Sequence, residues 1–172
     1  MRTYLLIFFC LFFAATVHAE QTCKTVIPPS TPDSQLLDNG DGTITDSNTG
    51  LMWKKCLEGV TGNNCENNSP TTFTWQQARK HPETVNDGDG FAGHTDWRIP
   101  TIRELRSIIE QQCYRPAINT TRFPNTPNSF VWSQTLYAGH SDYAWYVNFG
   151  NGSSYADVRS VNSAVRLVRS GQ

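Results

Sequence analysis

The chain has 172 residues and a formal net charge of −1, a length that suits one domain. With no run of Lys or Arg, it offers no electrostatic footprint for nucleic acid. It is polar, rich in Asn, Ser, Thr and Gly, and carries five Trp and six Tyr. That balance suits a modest core fastened by other means and surfaces that meet polar ligands.

Arg2 precedes an apolar run from Leu5 to Ala15, and Val17-His18-Ala19 fits a small-residue cleavage site. This is the pattern of a secretory signal peptide, residues 1–19, cleaved after Ala19. A membrane anchor is the competing reading, but the run falls short of the roughly 20 apolar residues a span requires. Cys10 sits too early for a lipoprotein cysteine, and Cys23 lacks the apolar residues that would precede one. The expectation is a secreted or periplasmic protein with no membrane span after cleavage.

Four cysteines then remain, at 23, 56, 65 and 113. An even count in an exported chain reads as disulfides. Cys56 and Cys65 are close in sequence and flank a Gly/Asn-rich segment, so they are paired. Cys23 is left to join Cys113. The paired C-x-x-C spacing of a zinc site is absent.

Residues 20–35 hold Pro28, Pro29 and Pro32 and read as an extended strap, with the domain proper at 36–172. Leu36-Leu37 starts a strand, Asn39-Gly40-Asp41-Gly42 turns, and Thr43 to Asp46 runs back. A second turn at 47–50 leads to the strand Leu51 to Lys55, where Met52 and Trp53 point to opposite faces. Asp38, Asp41 and Asp46 invite a calcium reading, but Gly40 falls on a ligand position and the closing Glu is missing. A hairpin turn is preferred.

Thr74 and Gln77 have capping-box spacing, so a helix opens at Trp75. It is expected to end near His81, because Pro82 disfavours helix at the residue before it. The glycine-rich loop from Asn86 to His94 follows. Asp87, Asp89 and Asp96 are candidate ligands for a calcium ion there, against a loop folded on its own Asx turns. Next comes Asp96-Trp97-Arg98-Ile99-Pro100-Thr101. Thr101 and Glu104 again have capping-box spacing, and Ile102, Leu105, Ile108 and Ile109 form one apolar stripe. The pattern predicts a helix over about 102–112. Arg98, Arg166 and Glu104 are expected to form an ion-pair set.

The long irregular segment 114–129 contains Pro116, Pro124 and Pro127. Loops of this length in a compact domain are often functional. Strands follow at 130–135, 143–149, 154–159 and 164–169. In the second of these, Trp145, Val147 and Phe149 alternate against Ala144, Tyr146 and Asn148, a half-buried pattern. All five Trp are expected in the core. This order of elements gives an α+β fold with a mostly antiparallel, twisted sheet, two helices and long loops, stabilised by disulfides.

Several pieces stand in an ordered set over about residues 36–169: Thr45-Asp46, Thr49-Gly50-Leu51-Met52-Trp53, Thr74-Trp75 with Ala78, Asp96 to Thr101 with Glu104-Leu105, Pro116-Ala117-Ile118-Asn119, Phe123-Pro124, Trp132-Ser133 and Val165 to Arg169. Together they resemble the Lcl C-terminal domain family, named for the end domain of a collagen-like bacterial adhesin. The resemblance implies a C-type lectin-like fold, similar in part to formylglycine-generating enzymes. The family's adhesin binds sulfated glycans. This chain lacks both the collagen repeat and a basic cluster.

A catalytic set is not apparent. His81, His94 and His140 lack zincin spacing, Ser133 has no nucleophile-elbow glycines, and no cysteine lies after Cys113 to serve copper chemistry of the formylglycine type. The expected function is therefore binding or adhesion to a glycan or surface protein, without catalysis. A structural part of a cell-envelope assembly is the alternative, and an enzyme of the formylglycine-generating kind is a further one. Candidate ligand-binding residues, chosen as loop aromatics, amides and carboxylates, are Asn119, Asn125, Asn128, Tyr137, His140, Asp142 and Tyr143.

Overall fold

The computed structural model describes residues 20–171. The expected signal peptide, 1–19, with its cleavage after Ala19, lies outside the described residues. No helix among them is long and apolar enough to cross a membrane. The fold is α+β, as the element order predicts.

In chain order, β1 (Thr22–Cys23) lies in the strap. β2 (Leu36–Asp38), β3 (Thr43–Asp46) and β4 (Leu51–Lys54) form a meander. β5 (Thr72–Phe73) leads into α1 (Trp75–Val85). α2 (Ile102–Ser107) and β6 (Cys113–Tyr114) follow. The chain ends with β7 (Phe130–Leu136), β8 (Tyr143–Asn148), β9 (Ser153–Val158), β10 (Ser163–Ala164) and β11 (Val168–Ser170).

Three sheets result: β1-β6, β5-β10-β7-β8-β9 and β11-β4-β3-β2. The pairings are antiparallel except that of β10 with β7. The β7-β8-β9 sheet divides two apolar clusters. On one side Val131 and Val147 pack with Leu105, Ile108, Trp53 and Phe149. On the other, Trp132 and Ala144 pack with Trp75 and Ala78 of α1. The period-two pleat makes this division. Met52 and Trp53 serve different clusters for the same reason.

Both capping boxes form as the spacing requires, Thr74 with Gln77 and Thr101 with Glu104. Two boundaries differ from expectation. α1 runs through Pro82, which lies inside it and is buried, and closes at Asn86, whose N–H donates to the Pro82 carbonyl. The apolar packing of Pro82 outweighs the missing donor. α2 stops at Ser107. Ile108 and Ile109 are still buried, but the chain turns there, and Glu110 donates its N–H to the Ala117 carbonyl instead of continuing the helix.

Cys23 is bonded to Cys113 and Cys56 to Cys65, as paired from sequence. The strap is also held by Glu110. Its carboxylate accepts from Ser30 and Thr31 N–H groups and both hydroxyls at 2.8–3.1 Å. Arg98 pairs with Glu104, but Arg166 does not join them. Arg166 is fully buried elsewhere, donating to the Lys54 and Lys55 carbonyls and the Thr126 hydroxyl. Trp53, Trp75, Trp97 and Trp132 are core residues, whereas Trp145 is only partly buried.

Candidate aromatic platform

The outer half of the β7-β8-β9 sheet carries a row of rings. Register places Trp132 opposite Tyr146, and Tyr146 opposite Tyr155. Phe130 lies diagonal to Tyr146, two residues from Trp132 along β7. Ring centroids are 5.1 Å apart for Phe130–Tyr146, 5.6 Å for Trp132–Tyr146 and 5.9 Å for Tyr146–Tyr155. Trp132 is buried against α1, with its indole N–H donating to the Phe73 carbonyl at 3.0 Å. Beyond α1 the row emerges: Phe130 is 46% exposed and Tyr155 43%. Alternation puts Asn148, Ser153 and Asp157 on the same face. Asn151 donates to the Tyr155 hydroxyl at 3.3 Å. The Tyr146 phenol is raised above its ordinary value by burial, by the Asp157 charge and by Tyr155, so it stays a neutral donor.

This face can do two things chemically. Its rings can cover an apolar surface of a ligand, and its hydroxyl, amide and carboxylate groups can meet polar atoms at the rim.

The residues expected from sequence fall in three places. Asn119 is spent on structure. Its Nδ2 donates to the Thr31 carbonyl at 2.9 Å and to Asp33 at 2.8 Å, and its Oδ1 accepts from the Thr121 and Arg122 N–H groups. Asn125 and Asn128 line a cleft of about 770 Å³ with Glu66, Asn68 and Pro124. Asn125 donates there to the Asn64 carbonyl. Tyr137, His140, Asp142 and Tyr143 gather at the tip of the β7-β8 hairpin. His140 lies 4.8 Å from the Tyr143 ring, Tyr137 packs 5.4 Å from Trp145, and Asp142 lies 3.7 Å from Arg159. Trp145 is only partly buried because it sits in this tip cluster, away from the packed middle of the sheet.

Sequence reasoning placed function in loops and so passed over Phe130, Tyr146 and Tyr155, which lie on strands. The available signal was the alternation in β8, where Tyr146 stands on the face opposite Val147. The register across three strands, which makes a row of it, is not written in any one strand.

Asp87, Asp89 and Asp96 are not brought together as a metal centre; no such group of three ligating side chains occurs among the described residues. Asp96 accepts from Arg169 Nε at 2.7 Å, and this bond with the Arg169 charge holds its carboxyl below the ordinary range. Asp38, Asp41 and Asp46 each accept a backbone N–H two residues on, as turn residues do. A second cleft of about 890 Å³ lies between the β2-β3 turn and the 56–65 loop. Phe91 lines it, with Lys54 Nζ 4.2 Å above the ring centroid. His81 meets Glu58 at 2.7 Å and His94 packs on Trp97, so neither joins His140. Ser133 donates its hydroxyl to the Trp145 carbonyl.

A search of curated proteins finds no match. A family described as the Lcl C-terminal domain matches residues 42–169, and the chain belongs to that family.

Proposed function

We propose that this member of the Lcl C-terminal domain family is an exported, non-catalytic binding domain that holds a glycan on the Phe130–Tyr146–Tyr155 face. The observation that carries the reading is the ring row, in which Phe130 and Tyr155 stand nearly half exposed at its two ends. Sugars present alternating apolar faces and hydroxyl rims, and a flat ring beside amides and a carboxylate matches both. The nearest charge is the carboxylate of Asp157, so the face favours neutral over anionic sugars.

Two disulfides suit an oxidising compartment and support export. Two capped helices, a fastened strap and long loops support the C-type lectin-like arrangement that the family resemblance implies. Binding by rings and hydrogen bonds uses no cofactor, so it should survive EDTA.

The test is a glycan array followed by calorimetry on the hits. Phe130→Ala and Tyr155→Ala should each weaken binding by roughly three- to tenfold, the worth of one stacking contact. Absence of any glycan hit, or hits indifferent to both substitutions, would overturn the reading.

A further inference from the structure

β9 is an edge strand: β8 covers one side, and no strand among the described residues covers the other. Edges of this kind are normally blunted by Lys, Pro or a bulge. β9 has no Lys, Pro or bulge and a single charge, Asp157, and its six residues pair with β8 without a register shift.

The direction of its free backbone groups follows from one bond. Arg159 donates its N–H to the Asp142 carbonyl at 2.8 Å, which makes 142/159 a hydrogen-bonded pair. Such pairs alternate along an antiparallel ladder. Asp157, Tyr155 and Ser153 therefore bond inward to β8, while Ser154, Ala156 and Val158 face out. Val158 is already used: its N–H goes to the Asp157 carboxylate and its carbonyl accepts from Val161. Among the described residues, Ser154 and Ala156 are left, each with an N–H and a carbonyl that no other group meets.

We infer that β9 pairs antiparallel with β9 of a second copy of this chain, about a two-fold axis through Tyr155. In that register Ser154 of each copy meets Ala156 of the other, and four hydrogen bonds consume every open group. An axis through Ala156 instead would set Ser154 against the occupied Val158. The side chains agree with the first choice. Tyr155 faces Tyr155 of the second copy, and Asp157 faces the Ser153 hydroxyl of the second copy, so no like charges stand directly opposite. An isologous contact of this kind closes as a dimer. The two ring rows then run on into each other across the axis, from Phe130 of one copy to Phe130 of the other.

The pairing is tested on the purified, oxidised chain by sedimentation over a wide concentration range. A reversible dimer is expected. Ala156→Pro removes an outward N–H and no bond to β8, so it should raise the dimer dissociation constant at least about tenfold with an unchanged circular dichroism spectrum. Tyr155→Cys keeps the test independent of how that variant folds. Opposed residues of a non-hydrogen-bonded pair lie roughly 4.5 Å apart at Cα, inside the disulfide range, so oxidation should give a covalent dimer that reductant dissolves. A chain that stays monomeric throughout, with no cross-linked Tyr155→Cys dimer, overturns the inference. So does a dimer that Ala156→Pro leaves intact and Tyr155→Cys fails to cross-link.

Discussion

Arg98 and Glu104 are joined by two parallel hydrogen bonds, Nη1 to Oε2 at 2.8 Å and Nη2 to Oε1 at 2.7 Å. The same carboxylate accepts the Thr101 N–H at 2.7 Å, so one side chain caps α2 and ties it to the strand-like segment before Pro100. Glu104→Ala removes both links and should cost about 1–2 kcal/mol, in the range of a lost cap. Arg98→Lys keeps the charge but loses the fork, and should cost less. Urea unfolding of the two variants checks the order.

Acid should destabilise the protein through two buried carboxylates. Burial alone would raise Glu110, but N–H groups of Ser30, Gln112 and Thr31 hold it below its ordinary value. Burial also opposes ionisation of Glu58, and His81 and Lys54 overcome it. Each native value is depressed, so each contribution is whole above the unfolded value of about 4.3 and is lost as pH falls through the native value. Glu110→Gln should lower stability at neutral pH and flatten the acid limb. Thermal melts between neutral pH and the acid limb measure both effects.

Gly59 adopts φ +87°, and a Cβ there would lie 2.7 Å from the Thr71 backbone nitrogen and closer still to its hydroxyl. Backbone cannot yield as a flexible side chain can. Gly59→Ala is expected to cost about 2 kcal/mol or more, from strain and overlap together. Gly40 has a similar φ, +80°, with open space around it, so Gly40→Ala should cost less. Comparing the two melting temperatures separates overlap from backbone strain.

The two disulfides close loops of very different length, with sequence separations of 90 and 9. Chain entropy assigns the long bridge about 4–5 kcal/mol and the short one about 2.5. Replacing Cys23 and Cys113 together by Ser should therefore lower the melting temperature more than replacing Cys56 and Cys65. It should also expose Ser30 and Thr31 to faster amide exchange, because the strap would then be held by hydrogen bonds alone, chiefly those of Glu110, Asn119 and Gln21.

Local chemistry was readable from the chain wherever cause and effect sit within a few residues. Thr74 and Gln77, Thr101 and Glu104, and the opposed Met52 and Trp53 are of that kind. The cysteine pairing followed from spacing. What local rules misjudged was decided by tertiary contact: burial carried α1 through Pro82, and the bond from Glu110 to Ala117 ended α2 early. The candidate site was legible only in its residue types. Tyr137, His140, Asp142 and Tyr143 do meet, because one hairpin tip contains them all. Asn119 does not join them, because its amide is already consumed by Thr31, Asp33 and its own turn. The Phe130–Tyr146–Tyr155 row needed pairing across three strands, which no local pattern encodes.

The β7-β8-β9 wall is braced by α1 at Trp132 and left bare at Phe130 and Tyr155. On the proposed function, anchoring and recognition fall on separate positions of the same strands. Selection can rewrite what the bare positions prefer, one outward side chain at a time, while the braced half keeps the architecture upright.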